Sequence, residues 1–172
     1  MAEARSREGR RVLVALVTGA AGERIRTWRE RFDPDQARRL PPHATLCYQA
    51  SLEPSALEPQ VRHAFDAPVE VRLGSVAQLP NADGTLYVAL RRTGALDRAR
   101  GRLFDGRHVA LAGPTSWPWH VTCVRYPRRR DLDVLLRAAE ELAFDLPWRV
   151  ARVAHLELRG GRYEPLATWD VG

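Results

Sequence analysis

The chain contains no lysine, and all 27 of its basic residues are arginine. Cysteine appears twice, methionine once, and the longest apolar run is the six residues from Val12 to Val17. Each scarcity excludes a class of protein. A membrane-spanning helix needs roughly 20 consecutive apolar residues, so no membrane association is expected. The basic start, with Arg5, Arg7, Arg10 and Arg11, imitates a secretion signal, but such a signal carries an apolar stretch of about 7 to 15 residues. Cys47 and Cys123 cannot build a disulfide framework, and a chain of 172 residues can bury a core without one. A reducing cytoplasm is the expected setting. Also missing are a Gly-x-Ser-x-Gly nucleophile elbow, a glycine-rich phosphate loop, and any Asp or Glu beside His43 or His120. Gly19-Ala20-Ala21-Gly22 lacks the glycine pattern of a dinucleotide fingerprint.

What is present suits one domain, or two small lobes sharing a core: 45% of residues are hydrophobic and 28% charged. The net charge of +6 invites a phosphate-bearing partner. Arginine-only usage, however, fits a codon bias toward GC-rich DNA. The charges are also spread out, with only Arg128-Arg129-Arg130 forming a run, read here as a solvated loop or helix start.

Periodicity predicts strands at 11–17, 44–50, 69–75, 85–90, 121–126, 148–158 and 164–171. Helices are predicted at 22–32, 54–65, 95–104 and 131–144. The helix ending at Phe32 stops at Asp33-Pro34 and leads into a loop with Pro41-Pro42; a turn is predicted at 80–84. Both halves, about 11–78 and 85–171, therefore read strand, helix, strand, helix, strand. This is the pattern of an internal duplication.

His43-Ala44-Thr45 and His120-Val121-Thr122 sit where the second strand of each half begins, 77 residues apart. Positions i and i+2 of a strand point the same way, about 6.6 Å apart, so each tripeptide presents one imidazole and one hydroxyl together. If the halves pack about a pseudo-twofold axis, four groups converge. Imidazoles exchange protons near neutral pH, so His43 and His120 can serve as general base and general acid. Thr45 and Thr122 can donate to the oxygens of a bound anion. His63, His108 and His155 show no such pattern, and threonine is a favoured strand residue in any case.

Zinc is the competing reading, because His43, Cys47, His120 and Cys123 are ligand types. On regular strands positions 43 and 47 share a face but lie about 13 Å apart, and residue 123 points opposite to residue 120. No metal site is expected; the cysteines read as small buried hydrophobes. Trp117, Trp119, Tyr126 and Tyr48 cluster near the tripeptides. By regular alternation Tyr126 shares the face of His120 whereas Arg125 and Tyr48 do not. Core or rim packing is the simpler role for each aromatic, and stacking on a nucleobase the functional one.

Pro41-Pro42-His43-Ala44-Thr45-Leu46 and Trp119-His120-Val121-Thr122-Cys123 together resemble the two-histidine phosphoesterase superfamily, with its 2′-5′ RNA ligase-like proteins and cyclic nucleotide phosphodiesterases. The resemblance covers nearly the whole chain; Cys123 stands where the second motif usually has an aliphatic residue. It implies an α+β fold over residues 1–172, with two pseudo-symmetric lobes, each a mainly antiparallel sheet with helices on its outer face, around a central cleft. It also implies a cofactor-free, metal-independent phosphodiesterase for 2′,3′-cyclic phosphates or 2′-5′ bonds in RNA ends or nucleotides, acting as a monomer. His43 and His120 match the family's catalytic pair, and Thr45 and Thr122 its phosphate-binding hydroxyls. A catalytically silent RNA-end binding module and a structural scaffold are the alternatives.

Overall fold

The computed structural model describes all residues except 1–7, 49, 51, 81–83, 104–117, 126, 128 and 141–144. Trp117, Tyr126, His108, Arg128 and the middle of the turn expected at 80–84 lie outside the described residues. Among the described residues, eight strands and five helices follow in chain order. The first half holds β1 (Arg11–Leu16), α1 (Gly19–Phe32), α2 (Pro34–Arg39), β2 (His43–Tyr48), α3 (Pro54–Ala64) and β3 (Glu70–Gln78). The second holds β4 (Leu86–Arg91), α4 (Gly94–Leu103), β5 (His120–Val124), α5 (Arg129–Glu140), β6 (Leu146–Arg149), β7 (Arg152–Arg159) and β8 (Arg162–Asp170).

The fold is mixed helix and antiparallel sheet, as the family resemblance implies. All strands join one sheet in the order β6-β3-β4-β5-β2-β1-β7-β8. The two motif strands are central neighbours, paired antiparallel at Ala44↔Val121. On either side a later strand of each half crosses over. β3 pairs with β4 and β7 pairs with β1, so each wing of the sheet draws on both halves of the sequence.

Helices α1, α3, α4 and α5 bury Ile25, Trp28, Leu57, Val61, Leu96 and Leu135, among others, against one face of the sheet. Ala44, Leu46, Val121 and Cys123 meet them from the central strands. Gly22 lets α1 approach its own strand: a Cβ there would sit 2.2 Å from the Val17 carbonyl oxygen. The opposite face carries a smaller cluster of Val12, Val14, Leu40, Ala154 and Leu156 and, among the described residues, is otherwise open.

Three local differences from the predicted elements have physical causes. The stretch after Asp33-Pro34 is helical, because Asp33 accepts the Gln36 backbone N–H at 3.1 Å and proline suits the first turn of a helix. The strand expected at 148–158 is two strands split at Val150-Ala151. β6 pairs with β3 at one end of the sheet and β7 with β1 near the other. With two residues between them, Arg149 and Arg152 are at most about 11 Å apart, so the sheet must curl until its wings approach.

The third difference is a matched pair of bulges. Leu13↔Cys47 is followed by Val14↔Thr45, and Leu86↔Val124 by Tyr87↔Thr122, so Leu46 and Cys123 are the extra residues. Each stands directly after its threonine.

Candidate active site

The register about Ala44↔Val121 sets His43 across from Thr122 and Thr45 across from His120, with opposed Cβ atoms about 4.5–5.5 Å apart. All four are half-buried on the open face, while Ala44 and Val121 between them are wholly buried under the helices. The imidazoles and hydroxyls of the two tripeptides are therefore brought together.

Both rings are held in the same way. His43 donates from Nδ1 to the Pro41 carbonyl at 2.7 Å, and His120 from Nδ1 to the Pro118 carbonyl at 2.8 Å. A carbonyl only accepts, so Nδ1 carries the proton in each neutral ring and Nε2 is the atom that exchanges protons. The residue before each histidine is fixed as well: Val17 N–H donates to the Pro42 carbonyl at 2.9 Å and Leu90 N–H to the Trp119 carbonyl at 3.0 Å. Two equivalent loops thus end on two equivalent strands.

The electrostatics differ between the halves. Burial, and after it the charges of Arg29, His120 and Arg125, pushes the His43 pKa down to about 4, against a raising contribution from the Pro41 carbonyl. Burial also holds His120 below the ordinary imidazole value, against the Pro118 carbonyl. The Tyr87 ring meets His120 edge-on at 5.4 Å. Sequence reasoning missed Tyr87, because only the pairing of β4 with β5 reveals that it lies opposite Thr122.

The bulges reverse two expectations of regular alternation. Cys47 does not share the face of His43: it turns to the helix-covered side opposite Leu13, and Cys123 is buried there too. Burial pushes their thiols up to about 11 and about 12. On the other side, Tyr48, paired with Val12, returns to the open face, and Arg125 comes within electrostatic reach of His43. These two occupy equivalent positions, five residues after each histidine. Tyr48 is 40% exposed. Arg125 is anchored through its backbone, its N–H donating to Asp33 Oδ2 at 2.9 Å and its carbonyl accepting from Thr85 Oγ1 at 3.0 Å.

Among the described residues no three His, Cys, Asp or Glu side chains are placed to hold a metal ion. Nor is any helix of the described residues long and apolar enough to cross a membrane. Beside the site a groove of about 590 Å³ runs from Arg125 along α2 and α5, where Arg31, Arg39 and Arg125 are matched by Asp33, Asp35 and Asp131.

A central pair of antiparallel strands, each offering one imidazole and one hydroxyl, defines a two-histidine class of site. The family model of the 2′-5′ RNA ligase superfamily matches residues 17–162, a span that holds both tripeptides. The chain belongs to that superfamily, which places it among the two-histidine phosphoesterases. Three solved structures share the fold. E. coli LigT complexed with 3′-AMP has a TM-score of 0.59 at 17% identity, covering 95% of this chain and 97% of that one. E. coli LigT in apo form has 0.58 at 16%, covering 94% and 96%. A protein described as a phosphoesterase has 0.57 at 17%, covering 95% and 98%. No curated protein matches the chain.

Proposed function

We propose that the protein is a metal-independent phosphodiesterase that hydrolyses 2′,3′-cyclic phosphates or 2′-5′ bonds in RNA ends or nucleotides. The observation that carries this reading is the pair of Nδ1-anchored imidazoles on adjacent strands, each opposite the other half's threonine. In-line attack on phosphorus needs a base to take a proton from the incoming water, an acid to protonate the departing ribose oxygen, and donors for the nonbridging oxygens. His43, whose protonation is disfavoured by burial and then by the charges of Arg29, His120 and Arg125, is the ring kept neutral and serves as the base. His120 Nε2–H is the acid, and Thr45 and Thr122 are the donors. As the P–O bond to water forms and the ribose P–O bond breaks, one proton moves to His43 and one leaves His120. The exposed ring of Tyr48 offers a surface on which a base could stack at the rim. A nucleotide substrate agrees with the 3′-AMP bound by E. coli LigT.

The test is turnover of the purified protein on nucleoside 2′,3′-cyclic phosphates, 2′-5′ dinucleotides and cyclic-phosphate-ended RNA. Hydrolysis of at least one class is expected, with EDTA leaving the rate unchanged. Binding without turnover would establish the silent binding module instead. Activity lost on chelation and restored by zinc or magnesium would overturn metal independence.

The pH dependence follows from the two depressed imidazoles. In the free enzyme the base is lost as pH falls through about 4, the His43 value. The acid is lost as pH rises through the His120 value, which also lies below the ordinary 6.5 or so. The bell in kcat/KM, which reports the free enzyme, is therefore expected on the acid side of about pH 6.5. A rate that climbs steadily into alkaline pH would point to hydroxide or a metal-bound water.

A further inference from the structure

We propose that Arg29 is the positioning residue for His43: from α1 its guanidinium clamps the carbonyls leading into Pro41, and so holds the imidazole that Pro41 anchors. The kinetic part of the inference rests on the phosphodiesterase reading, whereas its geometric part does not.

Arg29 is 1% exposed, a rare state for arginine. Its Nη2 donates to the Gln36 carbonyl at 2.8 Å and the Leu40 carbonyl at 2.6 Å, while Nε and Nη1 have no hydrogen-bond partner among the described residues. Within electrostatic reach of the guanidinium lie Asp33 and the Cys123 thiol. Burying a cation that is bonded through one of its three nitrogens is costly. An apolar side chain of similar volume would serve packing at least as well. Packing therefore does not account for the residue.

Position does. Three consecutive carbonyls before His43 are each held: Leu40 by Arg29, Pro41 by the His43 ring, and Pro42 by Val17 N–H. The two prolines between the clamp and the histidine have fixed φ, so little slack separates them. A displacement at Leu40 is passed to the Pro41 oxygen and from there to the ring.

The other half solves the same problem differently. Its helix after the first strand, α4, holds the loop through Trp119, whose Nε1–H donates to Asp97 at 2.6 Å and whose ring lies 4.3 Å from the Arg100 guanidinium carbon. Equivalent helices thus steady both histidines. A buried cation does so at His43 and an indole at His120.

The test compares Arg29→Met and Arg29→Lys in the full chain, by imidazole nitrogen NMR without substrate and by steady-state kinetics on a cyclic phosphate. In the parent, His43 is expected as the single Nδ1–H tautomer. Arg29→Met is expected to show mixed tautomers at His43 and an unchanged signal at His120. Its kcat is expected to fall about 10- to 100-fold with little change in KM, the scale of a misplaced catalytic group. Arg29→Lys, which keeps a donor for the two carbonyls, is expected within about threefold of the parent. Parent-like tautomer or parent-like kcat in folded Arg29→Met overturns the proposal, as does an Arg29→Lys no better than Arg29→Met. Should Arg29→Met fail to fold, Arg29→Gln carries the same two readouts with the same overturning results. A parent that turns over no phosphodiester would remove the functional reading, and the tautomer of His43 would still decide the role of Arg29.

Discussion

Replacing either His43 or His120 by alanine is expected to lower kcat/KM on a cyclic phosphate by about 10² to 10⁴, and the double variant by less than the product of the singles. Folding is expected to survive, because both rings lie half-buried and neither histidine belongs to the helix-packed core cluster. A cooperative melt alongside the kinetics would show this. Full activity in either well-folded variant ends the acid–base reading. The two losses are also distinguishable. On a p-nitrophenyl ester of a nucleotide phosphate, where the aryloxide departs without a proton, His120→Ala is expected near the parent rate and His43→Ala stays impaired. The reverse order would exchange the roles. The assignment turns on burial first and charge after it, since desolvation and then the charges of Arg29, His120 and Arg125 disfavour protonation of His43, and a base must begin the reaction unprotonated.

Much of this arrangement was legible from two tripeptides repeated in register. Side-chain alternation puts His and Thr of one strand on one face, and the duplication brings two such strands together. The remainder depends on pairing. Nothing local to Leu46 or Cys123 announces a bulge, since the extra residue exists only relative to β1 and β4. For that reason alternation assigned Cys47 and Tyr48 to the wrong faces. Tyr126, which alternation favoured over Arg125, lies outside the described residues. The break at Val150-Ala151 is likewise set by two distant partners, β3 and β1, rather than by a turn residue. The short α2 could have been read: Asp33 before Pro34, three residues ahead of Gln36, is an N-cap signal that Pro41-Pro42 obscured. Arg29 had no such signal. In sequence it is one more arginine in an arginine-rich helix, and only its burial against the Gln36 and Leu40 carbonyls sets it apart from Arg26, which pairs with Glu23 and Glu30 in solvent.

The threonines are separable from the imidazoles by the kind of loss they produce. Thr45, paired with Val14, and Thr122, paired with Tyr87, sit in regular strand just before each bulge, where a β-branched side chain is favoured. Thr→Val keeps that shape and deletes the hydroxyl donor. Charge shifts onto the nonbridging oxygens as phosphorus becomes five-coordinate, and a hydrogen bond to a charged group contributes about 1.5 to 3 kcal/mol. Thr45→Val and Thr122→Val are therefore each expected to lose roughly 10- to 150-fold in kcat/KM. The bell-shaped pH profile should persist in both, because each titrating ring keeps its Pro41 or Pro118 carbonyl. A limb that moved would mean the hydroxyl had been tuning the histidine opposite it: Thr45 faces His120, and Thr122 faces His43. Rates within about a factor of two of the parent for both variants, well under the loss of one charged hydrogen bond, would reduce the threonines to ordinary strand residues.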